Sequence, residues 1–415
     1  MFEDANIIAG LEIGTAKICV VVGEQNAEGA PNIIGIGQSR SRGVRKGEII
    51  NPEQVEEDLR VAIAGAEQMA DVEIRSVYLG VSGGHIRGFN NRGVHTVVSA
   101  DREITEDDVQ DVIKNAKAIN LPAENTVIHA VRQHFFVDGH DGVTNPTGML
   151  GQRLEVDMHV VHGHANRLQN AIRLVRGTQL EVDEIVFNGV ASSLALLSNE
   201  QKELGALVID IGGGTTEYAV YSDGAIRHTG VLAVAGDHVS NDLAYGLKVP
   251  LSRAEILKVE HGSALVTEAA KNQTITNVNE LGLPLKSVNA GQLQRIMSLR
   301  LEEIFQLVAE DIERAGLTEY LRSGIFLCGG GSRVPGLVTL AENVFQMNVT
   351  LGQASAISGL TAALDQPEFA TAIGLVKYGS LKKRQRRARK TLFGEAMGGG
   401  TEMFKSVVGK LLQRS

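Results

Sequence analysis

The feature that most constrains the fold of this chain is a glycine-containing hairpin pattern that occurs twice. In the segment 8–22, an apolar run ends in Glu12 and is followed by Ile, Gly, Thr and a second apolar run. The segment 207–220 repeats this order, with Asp210 as the carboxylate and three glycines instead of one. Two short apolar runs joined by a tight turn predict a β-hairpin. Because the copies lie about 200 residues apart, they predict two related lobes that each present a hairpin tip to one cleft.

A third glycine signal follows late in the chain. The segment 324–336 reads as an apolar strand, a turn at Gly329–Gly331 and the start of a helix. That layout is typical of a loop beneath a flat ring. The order of the three signals therefore predicts two phosphate contacts followed by a nucleoside contact.

Hairpin tips of this kind can bind phosphate through their backbone. A glycine has no side chain to keep a phosphate oxygen away from the backbone N–H groups, and these form an anion-binding concavity. The glycines that need to stay bare are Gly14, Gly213 and Gly214, and the nearby hydroxyl donors are Thr15, Thr215 and Thr216.

The carboxylates before the two turns predict a magnesium site. If the lobes are related by a two-fold axis, Glu12 and Asp210 face each other across the cleft. Two carboxylates there can hold Mg²⁺ through waters beside a triphosphate. The alternative is that both residues only end their strands. Neither a Walker P-loop nor a Rossmann glycine fingerprint occurs in the chain.

Composition restricts the function classes. A length of 415 residues predicts two to four compact units. With no Trp and 4% aromatic residues, the chain has little stacking surface for nucleic acid. Cys19 and Cys328 lie in apolar runs and are predicted to be reduced core residues. The acidic first residues lack the basic start of a signal peptide and no run of 18 apolar residues occurs, so we expect a cytosolic protein.

The net charge is distributed unevenly. The chain carries −9 overall, yet residues 379–415 contain ten Lys or Arg and two Glu, which leaves −17 for residues 1–378. Seven of the nine residues at 382–390 are basic. An acidic body with a basic tail favours an anionic membrane surface over nucleic acid as the partner.

The last residues predict an amphipathic helix that lies in a membrane interface. Its apolar arc and flanking cations suit that position, and a flexible Gly398–Gly400 joint precedes it. The alternative is that the helix docks on the protein's own body. The apolar residues are Met403, Phe404, Val407, Val408, Leu411 and Leu412, and the flanking cations are Lys405, Lys410 and Arg414.

Several segments resemble the FtsA family of the actin, heat-shock-70 and sugar-kinase superfamily. The resemblance runs nearly end to end and is carried by the paired hairpins, by Gly329–Gly331 and by the stretches 42–49, 77–83, 137–151 and 254–262. It implies an α/β, actin-like, two-lobed fold with duplicated mixed sheets, an FtsA-type inserted α+β subdomain and a C-terminal amphipathic helix.

The resemblance also implies a division into units. These are the first-lobe core with the phosphate-1 hairpin (1–83), the inserted subdomain (84–162), the rest of the first lobe with the linking helix (163–198), the second-lobe core with phosphate-2 (199–235), a mostly helical second-lobe insertion (236–316), the adenosine segment with a return helix (317–378), a flexible basic linker (379–402) and the membrane helix (403–415).

By the same resemblance, particular residues contact ATP. They are Gly14, Thr15, Ala16 and Lys17 in phosphate-1; Gly212, Gly213, Gly214, Thr215 and Thr216 in phosphate-2; Gly329, Gly330, Gly331 and Ser332 at the adenosine; and Gly236, Asp237, Glu255 and Lys258 at its border. Asn188 on the linking helix is the candidate for positioning the attacking water, so we expect at most slow hydrolysis, with ATP acting as a structural switch. Arg132 and Glu217 depart from the family pattern, which often has Pro and more usually Asp at these positions.

The function implied is that of a cell-division protein on the cytoplasmic face of the membrane at the division site. Its expected partners are FtsZ filaments, further copies of itself, anionic lipids and later division proteins, the last through the inserted subdomain, with no nucleic acid. The 236–316 segment is the expected FtsZ-binding face. The alternatives are a kinase, a chaperone-type ATPase or a pilus-assembly relative of the same fold. No catalytic Asp placed as a base, as a sugar kinase needs, is evident in the sequence.

The tail analysis makes a first prediction. Phe404 and Leu411 lie near the centre of the apolar arc, so replacing both with Glu forfeits burial in the interface and adds repulsion from anionic lipid. We expect the double variant to leave liposomes in a flotation assay while its ATP affinity stays unchanged.

Added negative charge alone has to be separated from loss of the apolar face. The double substitution Ser406→Glu with Gln413→Glu makes the same charge change on the polar side of the wheel and is expected to keep the larger part of the binding. Flotation of the Phe404→Glu, Leu411→Glu variant at the wild-type level would mean that the tail is not the anchor.

Overall fold

The computed structural model describes residues 6–26, 30–276, 286–353, 358–359 and 366–398. The strands are β1 (Ile7–Ile13), β2 (Lys17–Gln25), β3 (Pro31–Arg40), β4 (Val44–Arg45), β5 (Glu48–Ile49), β6 (Ser76–Val81), β7 (Arg87–Thr96), β8 (Asn125–Val137), β9 (His140–Val143), β10 (Arg153–His164), β11 (Glu181–Phe187), β12 (Ala206–Ile211), β13 (Thr216–Ser222), β14 (Ala225–Leu232), β15 (Thr274–Ile275), β16 (Val288–Asn289), β17 (Ile325–Cys328), β18 (Val349–Leu351) and β19 (Ser358–Gly359).

The helices, in chain order, are α1 (Pro52–Ala70), α2 (Glu106–Lys117), α3 (Ala165–Gly177), α4 (Asn188–Leu196), α5 (Asn199–Leu204), α6 (Gly236–Leu247), α7 (Leu251–His261), α8 (Glu268–Lys271), α9 (Ala290–Arg314), α10 (Leu337–Phe345) and α11 (Ala370–Gly398). Short 3₁₀ turns occupy Thr318–Tyr320, Gly330–Arg333 and Pro367–Phe369.

The two main sheets repeat one topology. The first has the order β11-β6-β1-β2-β3-β19 and the second has the order β14-β13-β12-β17-β18. In each, the glycine hairpin pairs two antiparallel strands, and its first strand pairs in parallel with a later one: β1 with β6, and β12 with β17. The prediction of duplicated lobes with mixed sheets is therefore confirmed. The two thiols lie buried in equivalent sheets, Cys19 on β2 and Cys328 on β17.

Helices cover both faces of the first-lobe sheet. Asn51 caps α1 by accepting from the Gln54 amide, and the apolar stripe of this helix packs on β2 and β3. On the opposite face, α4 and α11 pack against each other and α11 against β1. The two helices approach so closely that a Cβ on Gly374 would lie 1.7 Å from the Ala191 carbonyl oxygen. α11 is therefore fixed to the core of the first lobe.

The inserted α+β subdomain forms a separate sheet with the order β7-β10-β8-β9. Thr105 and Asp108 form the capping box of α2. The helix lays Val109, Val112 and Ala116 on the sheet, in a hydrophobic cluster of its own. The prediction of a folded insertion between β6 and α3 is confirmed.

The segment 236–316 shares its core with the second lobe. Helices α6, α7 and α9 belong to one hydrophobic cluster with β12, β13 and β17. The Phe305 ring on α9 lies 5.8 Å from that of Phe345 on α10, and the Tyr218 hydroxyl on β13 donates to Asp311 at 2.6 Å. Removing this segment would therefore expose the second-lobe core.

The basic segment differs from the prediction of a flexible linker over 379–402. Helix α11 continues without a break to Gly398, so the run 382–390 is helical. The physical reason is that Lys, Arg, Gln and Ala are good helix formers and nothing between Leu381 and Phe393 interrupts the helix with Gly or Pro. The predicted membrane helix at 403–415 lies outside the described residues. In the part of the chain that the structure covers, the helices are too short or too polar to cross a bilayer.

Candidate functional site

The two hairpin tips meet between the lobes. A Cβ on Gly213 would lie 3.0 Å from the Ala16 Cβ, and one on Gly214 would lie 2.5 Å from Thr15 Oγ1 and 2.8 Å from the Lys46 amide nitrogen. A side chain at either glycine would therefore push the tips apart. The sequence pattern predicted that a phosphate approaches the backbone at these glycines. Here the atoms nearest to a Cβ on Gly213 or Gly214 belong to the opposite lobe, whereas the atom nearest to a Cβ on Gly14 is the Lys17 carbonyl oxygen of its own hairpin.

The tips have matching backbone geometry. The Gly14 amide donates to the Lys17 carbonyl at 3.0 Å, and the Gly212 amide donates to the Thr215 carbonyl at 2.9 Å. Within the described residues, the amides of Thr15, Ala16, Gly213 and Gly214 have no hydrogen-bond acceptor. Amides left open at facing turns form the type of concavity that binds an anion.

A partly buried lysine lies among the carboxylates of the cleft. Lys17 Nζ lies 3.5 Å from Glu12, donates to the Glu368 carbonyl and sits 5.1 Å from the centre of the Phe369 ring. Although burial opposes its charge, Glu12 and, more weakly, Asp210 raise the pKa of Lys17 above its usual value. This cation compensates the carboxylates that the sequence predicted as a magnesium site.

Asp210 is close to Glu12, as predicted, and it is tied to the first lobe. Its carboxylate accepts from the Thr371 hydroxyl at 2.7 Å. Burial, followed by the neighbouring Glu12, raises the pKa of Asp210. Among the residues described, no three His, Cys, Asp or Glu side chains are placed to hold a metal directly.

Glu217 of the second lobe forms a hydrogen bond with the first lobe. The Ser82 hydroxyl of the first lobe donates to this buried carboxylate and lies 3.2 Å from Thr215 Oγ1. Burial, followed by the charge of Asp210, raises the pKa of Glu217. The longer side chain at this position, one of the two departures from the family pattern, reaches across the lobe boundary. At the other departure, the Arg132 guanidinium lies over the Phe135 ring, well away from this cleft.

The start of α6 packs directly on the second tip. The Asp237 amide donates to the Gly213 carbonyl at 2.7 Å, and the Gly236 amide donates to the Gly212 carbonyl at 3.2 Å. Lys258 Nζ donates to the Gly236 carbonyl at 3.1 Å and to Glu255 at 2.7 Å. The structure therefore brings the predicted border residues to the phosphate-2 hairpin.

Thr216, one of the predicted phosphate donors, already donates its hydroxyl hydrogen within the protein. The Thr216 hydroxyl donates to the Val234 carbonyl at 2.8 Å. A hydroxyl has one hydrogen to donate, so Thr216 cannot also donate to a phosphate while this bond persists. Thr216 is the first residue of β13, and here its hydroxyl bonds within its own lobe, so its contact with a phosphate stays a prediction. Thr15 Oγ1 instead accepts from the Gly47 amide at 3.0 Å, which leaves its own hydrogen available.

The Gly329–Ser332 loop lies behind the second tip. Gly329 has φ +82°, and a Cβ there would lie 2.3 Å from Asp210 Oδ1. The Ser332 hydroxyl closes the turn by donating to the Gly329 carbonyl at 2.7 Å. No described atom comes within 4 Å of a Cβ placed on Gly330, so this glycine faces open space, whereas a Cβ on Gly331 would meet Ile211. The loop thus presents bare backbone next to the phosphate-2 hairpin.

Asn188 lies deeper in the first lobe than the tips. It is the first residue of α4, it is buried, and its Oδ1 has no partner among the described residues. A Cβ on Gly80 of β6 would lie 2.6 Å from that oxygen. A buried amide oxygen without a protein partner suits a bound water. The role of Asn188 in placing an attacking water stays a prediction.

Sequence reasoning missed the residues that reach the cleft from elsewhere in the chain. Lys46, Gly47 and Ser82 lie in stretches that the resemblance marks as typical of the family, which was the available signal. Glu368 and Thr371, which contact Lys17 and Asp210, lie on the segment after the adenosine loop. No local pattern marked them.

The fold and the paired tips define an actin-like protein of two lobes with an extra α+β subdomain. The structure resembles that of a PilM–PilN type IV pilus biogenesis complex, with TM-score 0.64, 16% identity and 90% and 98% of the two chains covered. It also resembles MreB5 of Spiroplasma citri bound to ADP, with TM-score 0.55, 16% identity and 93% and 99% of the two chains covered.

Sequence comparison specifies the family. Residues 207–374 match the model of cell division protein FtsA, and residues 83–162 match the SHS2 domain inserted in FtsA. FtsA of Pseudomonas aeruginosa is 39% identical over 381 residues, covering 92% of this chain and 91% of the relative. FtsA of Escherichia coli K12 is 38% identical over 383 residues, covering 91% of each chain. The chain belongs to the FtsA family of cell-division proteins, and the resemblance noted from its motifs is confirmed.

A buried histidine beside Asn188 predicts a pH dependence of stability. His129 Nε2 accepts from the Phe187 amide at 3.0 Å, which requires a neutral ring. Burial, with a smaller effect of Lys382, lowers the pKa of His129 to about 4. A histidine with a lowered folded pKa stabilises the fold above its ordinary pKa, and this stability is lost as pH falls from about 6.5 to 4.

The variant His129→Gln keeps an acceptor but does not titrate. Between pH 7 and 4, we expect wild type to lose up to ~3 kcal/mol more of its free energy of unfolding than this variant, measured by urea denaturation. The variant His140→Gln changes an exposed ring and should behave as wild type. Equal pH dependence of His129→Gln and wild type would contradict the assignment of a neutral His129.

Proposed function

We propose that this FtsA-family protein binds ATP with Mg²⁺ between its lobes and links FtsZ filaments to the inner face of the cytoplasmic membrane. The observation that supports ATP binding most is the meeting of two glycine tips whose amides have no acceptor in the described structure. The likeness to an actin-like protein bound to ADP adds support. Sequence identity to cell-division relatives, far above the 16% shared with the pilus complex, favours the division role over the pilus-assembly alternative.

The residues at the cleft suit the parts of a nucleotide. The open amides of the two tips would hold the phosphates. Glu12 and Asp210 would hold Mg²⁺ through waters, and the metal would neutralise phosphate charge. The bare backbone at Gly330 and the Glu255–Lys258 pair would border the adenosine. With only Asn188 as a candidate to orient water, hydrolysis would be slow and ATP would act mainly as a structural switch.

Binding would require the tips to separate. They touch across Gly213 and Gly214, whereas a phosphate between them would need hydrogen-bond distances of about 2.9 Å on each side. ATP would therefore bind a more open arrangement of the lobes and shift the population towards it. This coupling of nucleotide to lobe spacing is the proposed switch.

The variant Gly214→Val tests the ATP site. Its side chain would occupy the space between Thr15 and Lys46 and keep phosphate from the amides. Loss of two hydrogen bonds to charged oxygens is expected to weaken ATP binding by roughly a hundredfold or more in calorimetry.

A matched control is Gly177→Val, because a Cβ there meets only the end of the flexible Glu56 side chain, at 3.7 Å or more. Both variants should unfold cooperatively, Gly177→Val near the wild-type midpoint and Gly214→Val at a lower one, because its side chain pushes the tips apart. Wild-type ATP affinity in a folded Gly214→Val protein would remove the cleft as the nucleotide site.

The outer face of the second lobe would meet FtsZ. On α7, Ile256 is 51% exposed and Val259, one turn later, is 74% exposed, while Tyr245 of α6 is 90% exposed. Exposed apolar side chains grouped on neighbouring helices suit a protein partner. Self-assembly into filaments and recruitment of later division proteins through the inserted subdomain complete the proposal.

The double variant Ile256→Glu with Val259→Glu tests this face without removing core helices. We expect co-pelleting with FtsZ polymers to fall by roughly tenfold or more. Each of the two substitutions removes an apolar contact with FtsZ and would bury a charge in the complex. The variant Val98→Glu, at a residue of the inserted subdomain that is 87% exposed, serves as the control. Undiminished co-pelleting of the double variant would exclude this face.

A further inference from the structure

The inserted subdomain has a second attachment, on the edge of the opposite lobe. It enters and leaves the first lobe through β6–β7 and β10–α3. It also covers β14, the edge strand of the second-lobe sheet, with residues of β7, β8 and β10. An edge strand presents unpaired backbone groups, and here the subdomain supplies partners for them. The subdomain therefore bridges the two lobes away from the cleft.

Side-chain hydrogen bonds hold this bridge. Asn90 Nδ2 donates to the Arg227 carbonyl at 3.0 Å, and Gln133 Nε2 donates to the Ile226 carbonyl at 2.6 Å. Arg227 is the extra residue of a β-bulge, because His228 and Ile226 pair with the consecutive residues 220 and 221 of β13. The inserted sheet thus bonds to β14 where the ladder is irregular.

A fully buried histidine links the two sides. His159 Nδ1 lies 2.8 Å from Asn90 Oδ1, and its Nε2 lies 2.8 Å from Thr229 Oγ1. Because Asn90 Oδ1 can only accept, Nδ1 carries the hydrogen and Nε2 accepts from the Thr229 hydroxyl. We call the set Asn90, Gln133 and His159, with Ile226, Arg227 and Thr229 opposite, the clasp.

The clasp is continuous with the second hairpin tip. Leu232, three residues after Thr229, pairs with Thr216, and the next residues carry the Val234 carbonyl that receives the Thr216 hydroxyl. At the strand rise of about 3.3 Å per residue, Thr229 lies roughly 10 Å from that pair. A movement of the second tip away from the first therefore moves β14 with it.

We propose that the clasp holds the lobes in their closed arrangement, so that nucleotide entry and release of the inserted subdomain from β14 favour each other. The subdomain is tied to the first lobe by its two strand connections and by the His129–Phe187 hydrogen bond. Separation of the tips consequently strains the contacts on β14. By linkage, whatever weakens the clasp strengthens binding of a ligand that needs the open cleft. The nucleotide half of this inference rests on the proposed ATP function.

The variant Thr229→Val tests the clasp, because it keeps the volume and leaves the buried His159 Nε2 without a donor. Thr229→Ser retains the hydroxyl and is the rescue control. Thr350→Val makes the same change at an exposed position on the opposite edge of the same sheet. As a second route, Gly88→Ala would wedge the clasp, since a Cβ there lies 2.2 Å from Thr229 Oγ1 and 2.9 Å from His159 Nε2.

Hydrogen exchange without nucleotide is the first measurement. In Thr229→Val and Gly88→Ala, we expect faster exchange at the clasp and also at the distant hydrogen-bonded amides of the tips, those of Gly14, Gly212 and Asp237, with Thr229→Ser and Thr350→Val unchanged. Faster exchange confined to the clasp would overturn the coupling. This readout does not depend on ATP binding.

ATP titration of the same variants is the second measurement. Affinity should rise by roughly two- to tenfold in Thr229→Val and Gly88→Ala, the factor that one net hydrogen bond represents. Unchanged or weaker affinity would overturn the proposal. If wild type binds no ATP, the proposed function fails instead, and the exchange at the tips alone decides whether the clasp governs the cleft.

Discussion

The structure depends on the contact between two glycine turns that belong to different lobes. Each turn is short enough, and bare enough, for backbone to meet backbone at Gly213 and Gly214. Behind this contact, the partly buried Lys17 ammonium lies among Glu12, Asp210 and the Glu368 carbonyl. Charges taken out of water are costly unless they are compensated. The elements that carry these charges, the two hairpins and the segment that leads into α11, are therefore held in fixed positions relative to one another. The cleft is therefore a structural centre as well as a candidate binding site.

Local signals in the sequence predicted the parts of the protein that local residues specify. The hairpins at Glu12 and Asp210 follow from apolar runs and turn residues, and the inserted subdomain followed from the family resemblance. The direction of the Thr216 hydroxyl could not be predicted, because its acceptor, Val234, belongs to a later segment. The clasp between His159 and Thr229 was equally hidden, since polar residues on strands do not indicate which distant strand they will meet.

The duplication also explains where the lobes differ. The two sheets share one strand order apart from the extra β19 of the first, and within the described residues the inserted subdomain follows β6 of the first lobe. The corresponding part of the second lobe is helical and is fused to its sheet through α9. One lobe thus has an appendage with its own core, whereas the other has an enlarged core. This asymmetry gives two similar halves different outer surfaces and allows one of them to reach across to the other at β14.

Helix α11 begins in the core of the first lobe and continues past the residues that pack there. Gly379 packs on Tyr78 and Ile8, and the next residue, Ser380, bonds with Gln25, yet the helix continues to Gly398. Lys382, Lys383 and Arg387 still bond to the body, so the part of the helix beyond these contacts, residues 388–398, extends roughly 16 Å at 1.5 Å per residue. A flexible linker of the same length would limit only the distance between its two ends. A helix that is continuous with the core also fixes the angle between them. A surface that binds this helix would therefore hold the body at a fixed tilt and rotation, so that every copy bound to it would have the same orientation.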